Sequence, residues 1–205
     1  LEEEVIAKLP MLIDEVAVVA ISDYGKGFLS KGLLQAVISI ANEKNIPIVA
    51  DPKGIHFDKY KGVTIIKPNV REAYAAANMT EDASLEDAAL KLLQITEAKL
   101  VMITRSEAGI SLYTQDGASQ NFGATLHEVK DVTGAGDTVL AMLSVAVASD
   151  LEMADAAKLC NVAAGIAIER FGCARVSLSD LSKRLLELGF SNHEQLEPSN
   201  EICNV

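Results

Sequence analysis

The residues best suited to chemistry in this 205-residue chain form one stretch, Asp131-Val132-Thr133-Gly134-Ala135-Gly136-Asp137-Thr138. It lies between a strand-like segment and an apolar run of helical character. Glycine and alanine let the backbone approach a ligand closely. Free N–H groups at a helix N-terminus point at an anion, and the helix dipole favours negative charge there. Such a turn would cradle a phosphoryl group in transfer. Asp137 falls in the first helical turn and could accept a hydroxyl proton as the oxygen attacks phosphorus. Two other readings fit the same residues. One is a plain glycine turn with a helix cap. The other is a dinucleotide site, but Gly134 to Val139 lacks the last glycine of G-x-G-x-x-G. The acidic residue expected about 20 residues further on would also fall inside a helix. No G-x-x-x-x-G-K-[ST] phosphate loop occurs.

These residues need a frame. Val16 to Ile21, Ile46 to Ala50, Val63 to Ile66 and Leu100 to Thr104 are short apolar runs rich in β-branched residues and read as buried strands. Helices are expected over Val5 to Leu9, where Pro10 breaks the pattern, then from a Ser30 cap to about Lys44, and again from about Val70. Ser84 with Asp87 resembles a capping box for a helix to about Ile95. Gly109 to Tyr113 and Gly117 to Val129 look like antiparallel strands around a turn at Gln115-Asp116-Gly117. Helices follow over about Ala135 to Ala148, Met153 to Arg170 and Ser179 to Leu188. Residues 1–190 form one domain and 191–205 a polar tail. Strands alternating with helices imply an α/β fold with a mainly parallel central sheet flanked by helices. Ligands of such sheets bind outside the carboxyl ends of the strands. The polar loops Ser22–Gly27, Asp51–Gly54 and Lys67–Glu72 all fall at such ends.

Composition narrows the function. Hydrophobic residues make up 49% and aromatics 4%, so the core is aliphatic, as a sheet buried on both faces requires. A net charge of -11 argues against nucleic-acid and anionic-membrane partners. No apolar run is long enough to span a bilayer. Cys160, Cys173 and Cys203 are odd in number and lack C-x-x-C spacing, which points to reduced thiols in the cytoplasm. His56, His127 and His193 are isolated and carry no assignment.

Asp131 with Gly134-Ala135-Gly136-Asp137 resembles the D-[TV]-[TV]-G-A-G-D signature of the ribokinase-like (phosphofructokinase B) carbohydrate kinases. Asn69-Val70-Arg71-Glu72, upstream, is similar to the same family's N-x-x-E motif. The loops Ser22–Gly27, Asp51–Gly54, Lys67–Asn69 and Thr104–Gly109 look like the branch that phosphorylates D-glycero-β-D-manno-heptose 7-phosphate for the lipopolysaccharide core. The likeness covers residues 12–188. It implies a ribokinase-like, Rossmann-type three-layer fold. It also implies Asp137 as base, with the backbone of Gly134, Ala135 and Gly136 as anion hole. Asn69, Val70, Arg71 and Glu72 would lie at the ATP phosphates, and Asn69 and Glu72 would help to hold Mg²⁺, directly or through water. Thr104 and Gly109 would border the nucleotide, and Asn161 the adenine. Lys53 and Lys67 would meet phosphate oxygens or remain surface lysines, while Asp23 and Lys26 would face the sugar. Taken alone, Asn69 and Glu72 also read as an N-cap and a solvated helix residue, and Asn161 as ordinary helix packing.

The chain departs from the family's pattern in one respect. Family members carry a preceding segment with a glycine-rich sugar site and a small β-sheet lid that often dimerises. No such residues are present before Leu1, which is not Met, so the expectation is that something precedes it. Association with that segment or as a homodimer is expected, and the strand near Val16 would otherwise lose a neighbour. Three functions remain open: a heptose 7-phosphate kinase, a kinase for another sugar or nucleoside, and a non-catalytic nucleotide-binding module.

Overall fold

The structure is a computed structural model and describes residues 2–124 and 129–189. Central strands buried on both faces explain its layers. Strands β1 (Val19–Ser22), β2 (Ile48–Asp51), β3 (Ile65–Ile66), β4 (Leu100–Thr104), β5 (Ile110–Thr114) and β6 (Ser119–Phe122) form one sheet in that spatial order. The first four are parallel, and β5 and β6 continue the sheet antiparallel. Successive side chains of a strand point to opposite faces. Ile48, Ala50, Val101 and Ile103 therefore join one core, and Val49, Leu100 and Met102 the other.

The first core is closed by α1 (Glu2–Leu12), α2 (Lys31–Glu43), α3 (Val70–Ala77) and α4 (Leu85–Thr96). The second is closed by α5 (Ala135–Ala148) and α6 (Met153–Ile168), with α7 (Leu178–Glu187) beyond them. All crossovers between the parallel strands lie on the first face, so the second stays open until the chain returns as α5 and α6. The three layers match the expected architecture. Asn45 and Asn78, both left-handed, end α2 and α3, a conformation asparagine adopts more readily than most residues.

Several expected boundaries move. The first helix runs through Pro10 to Leu12. Proline removes one N–H, but the ladder resumes at once with Ile13 N–H to Leu9 C=O at 2.9 Å, and both side chains are buried. Strand β1 starts at Val19 rather than Val16. Its ladder opens with Val19 N–H on Pro47 C=O at 2.9 Å, and Pro47 has no N–H to extend it. Strand β3 is also short, because the Thr64 hydroxyl takes the Ile48 N–H at 2.9 Å. Ser84 caps α4 through Glu86 N–H at 3.2 Å, and the expected capping box with Asp87 does not form. The strand expected over Gly117 to Val129 is confined to Ser119–Phe122, and 125–128 lie outside the described residues. The expected tail, with Cys203 and His193, also lies outside them, as does His127.

Candidate active site

Strands β1 to β4 end on one rim of the sheet, with Ser22 opposite Asp51 and Ile66 opposite Val101. The N-terminus of α5 sits on that rim. Gly134 starts it with a left-handed φ of 79°, and the Cys173 sulfur would lie 3.4 Å from any Cβ there. A side chain at Gly136 would come within 3.9 Å of both Asp51 Oδ2 and Lys67 Nζ. Small residues therefore bring the α5 backbone against the strand ends.

The free donors of this turn can be counted. Ala135 N–H bonds Val132 C=O at 3.2 Å, and Thr138 N–H bonds Gly134 C=O at 2.9 Å. Gly134, Gly136 and Asp137 N–H groups have no backbone acceptor among the described residues, so they are the donors an anion would meet. Of the expected hole, the turn takes up the Ala135 donor, while Gly134 and Gly136 N–H remain available beside that of Asp137. Asp131 braces the turn by accepting Thr133 N–H and Gly172 N–H, each at 2.9 Å. The Thr133 side chain first, and then those N–H bonds, hold its carboxyl below the usual range.

Lys67 is only 2% exposed and pairs with Asp51 at 3.1 Å, which removes the surface-lysine reading for it. Burial pushes the Asp51 carboxyl above the usual range. Lys67 pulls it back only in part, and the Glu72 and Asp137 carboxylates push it further up. Three carboxylates and a buried ammonium thus share one rim.

Asn69 caps α3 by accepting Glu72 N–H at 2.9 Å, and Glu72 returns the bond to Asn69 N–H at 3.0 Å. The other Glu72 oxygen takes Lys53 at 2.5 Å. Asn69 also bridges to Thr104 at the end of β4. Val70 packs on the core, and Arg71 is exposed in the first turn of α3. Hard oxygen donors on one or two carboxylates beside phosphate suit Mg²⁺. Glu72 and Asn69 carry such oxygens, but here they are taken up by Lys53 and by their own cap, and no group of three or more metal-ligating His, Cys, Asp or Glu side chains occurs among the described residues.

Thr104, Gly109 and Asn161 line one cleft of about 280 Å³ together with Ala135 and Gly136. Gly109 has a φ of 84°, and a Cβ there would lie 2.1 Å from the Phe122 carbonyl. Asn161 Nδ2 donates to the Phe122 and Gly123 carbonyls at 3.0 and 3.2 Å, pinning α6 to the strand beside the cleft.

Asp23 lies beside a groove along β1 that Lys26 also lines. It is buried and accepts from Lys59 and Tyr60, both at 2.6 Å, and from Gly25 N–H at 2.7 Å. Lys26 is exposed at that groove. Asp51 and Tyr24 reach the rim without having been singled out in the sequence. Both lie in loops at strand ends, and that position was the available signal.

Free N–H groups at a helix N-terminus beside a carboxylate, at the carboxyl ends of parallel strands, suit phosphoryl transfer. A family model described as pfkB family carbohydrate kinase matches residues 2–180, and the chain belongs to that family. It is 45% identical to the bifunctional protein HldE of Geobacter metallireducens over 88% of this chain and 37% of that protein. It is 43% identical to HldE of Citrifermentans bemidjiense over 100% of this chain and 41% of that one. The chain thus spans about two fifths of the length of these curated relatives. Its fold is similar to Arabidopsis thaliana ribokinase complexed with ribose and ATP, with a TM-score of 0.77, 18% identity, and coverage of 86% of this chain and 58% of that one. It is also similar to Escherichia coli phosphofructokinase-2 in complex with potassium, with a TM-score of 0.77, 19% identity, and coverage of 91% and 63%.

Proposed function

We propose that this chain is the nucleotide-binding, catalytic part of an ATP-dependent kinase that phosphorylates the anomeric hydroxyl of D-glycero-β-D-manno-heptose 7-phosphate. The product is the 1,7-bisphosphate. The observation that carries the reading is the convergence of Asp137, two unbonded α5 donors and the Lys67–Asp51 pair on one rim. The heptose assignment is supported by the strand-end loops and by the HldE relatives.

The acceptor hydroxyl donates to Asp137. As its oxygen attacks the γ-phosphorus, the O–H proton passes to the carboxylate and the bond to ADP breaks. Gly136 and Asp137 N–H groups receive the charge on the phosphoryl oxygens. Lys67 adds a fixed positive charge beside them. The cleft at Thr104, Gly109 and Asn161 takes the rest of the nucleotide. Glu72, in place of its bond to Lys53, and Asn69 would hold Mg²⁺, which offsets phosphate charge when bound. ATP as co-substrate places the reaction in the cytoplasm. No helix among the described residues is long and apolar enough to cross a membrane.

The test is heptose 7-phosphate-dependent ADP formation with Mg·ATP by the intact protein. Asp137→Asn is expected to lower kcat by about a thousandfold while ATP still binds. Turnover with a different sugar alone would reassign the substrate. Full turnover in Asp137→Asn would remove the base assignment.

A further inference from the structure

Tyr24 lies 113 residues from Asp137 in sequence, yet its phenol donates to Asp137 Oδ1 at 2.8 Å. The backbone on either side of Tyr24 is fixed. Asp23 N–H bonds the Asp51 carbonyl at 3.1 Å, and the Asp23 carboxylate holds Lys59, Tyr60 and Gly25 N–H. Gly25 turns with a φ of 65°, and a Cβ there would meet the Lys53 side chain at 3.5 Å. Lys53 N–H in turn bonds the Tyr60 hydroxyl at 3.1 Å. The buried Asp23–Lys59–Tyr60 cluster therefore anchors the loop from which Tyr24 reaches across to α5.

A lone aspartate on a helix can present either oxygen, and rotation between them wastes orientations. A donor held on Oδ1 breaks that equivalence and leaves Oδ2 for the acceptor hydroxyl. We propose that Tyr24 is a positioning residue that orients the Asp137 carboxylate for proton transfer. This inference rests on the proposed role of Asp137 as base. The Asp23 cluster acts through Tyr24 by fixing where its phenol stands. The hydrogen bond to Asp137 also holds the Tyr24 phenol above the usual tyrosine range, with the Asp137 and Asp51 charges acting in the same direction.

Two measurements test this. The first needs no substrate: the ionisation of Tyr24 is followed by NMR of [13Cζ]tyrosine-labelled protein, with Tyr24→Phe identifying the signal. In Asp137→Asn the Tyr24 signal is expected to titrate at lower pH than in the unsubstituted protein. An unchanged titration overturns the proposal. The second is turnover: Tyr24→Phe is expected to lose about tenfold in kcat, with the KM for ATP within about twofold and Tm unchanged. Wild-type kcat in Tyr24→Phe, or a loss seen only in KM, overturns the proposal while leaving Asp137 as base. Wild-type kcat in Asp137→Asn instead removes the base itself and the proposal with it.

Discussion

At the residue scale, the site depends on side chains that are small or charged for reasons visible in their surroundings. Gly109 combines a left-handed φ with a backbone carbonyl where a Cβ would stand. Neither can relax alone, since Phe122 is paired to β5 and its carbonyl also receives Asn161. Gly109→Ala is expected to cost about 3 kcal/mol, read as a fall in Tm, and to weaken ATP binding by distorting the cleft. Cysteine chemistry is not expected from Cys160, whose buried thiol is pushed up to about 12. Lys67 is the counterpart case: a lysine buried only because Asp51 neutralises it, 3.1 Å away.

At the element scale, loops at strand ends are tied to one another before any ligand arrives. Asn69 and Glu72 close a reciprocal cap that starts α3 and fixes the Asn69 and Glu72 side chains at the end of β3. Asp23 ties β1 to the short 3-10 helix Phe57–Tyr60. Burial alone would raise its carboxyl, but bonds from Lys59, Tyr60 and Gly25 outweigh that and leave it below the usual range. A depressed folded value means stability that is present above the unfolded value of about 3.9 and lost as pH falls through the folded one. Asp23→Ala is therefore expected to cost about 3 kcal/mol near neutral pH, since Lys59 loses its buried partner. Urea unfolding at a series of pH values should show the gap to wild type constant above about pH 4 and narrowing below it.

At the scale of the whole molecule, the two cores on opposite faces of the sheet hold the rim in shape. The face covered by α5 and α6 is the one that delivers Asp137, so its packing bears on the proposed catalysis as well as on stability. Leu143 is fully buried there. Leu143→Ala is expected to cost about 3 kcal/mol in unfolding free energy, with the KM for ATP nearly unchanged if α5 keeps its place. A large rise in KM would show that the helix shifts. Strand β1 lies at the sheet edge, beside a groove lined by Leu9, Ile13, Val19 and Phe28. By itself the sequence determined the α/β class and the polar loops at the strand ends, because these depend on local periodicity, whereas the roles expected of Asp137 and of Asn69 and Glu72 came from likeness to a family's motifs. Single turns escaped it: the start of β1 depends on Pro47, a distant partner, while the Pro10 helix and the Ser84 cap depend on which neighbouring N–H a nearby acceptor takes. Only the tertiary structure decided that Asp23 turns inward, that Lys67 is buried on Asp51, and that Tyr24 meets Asp137. Each of those contacts joins separate elements, and residue type alone cannot say which of two charged side chains within reach will find the partner that offsets its burial.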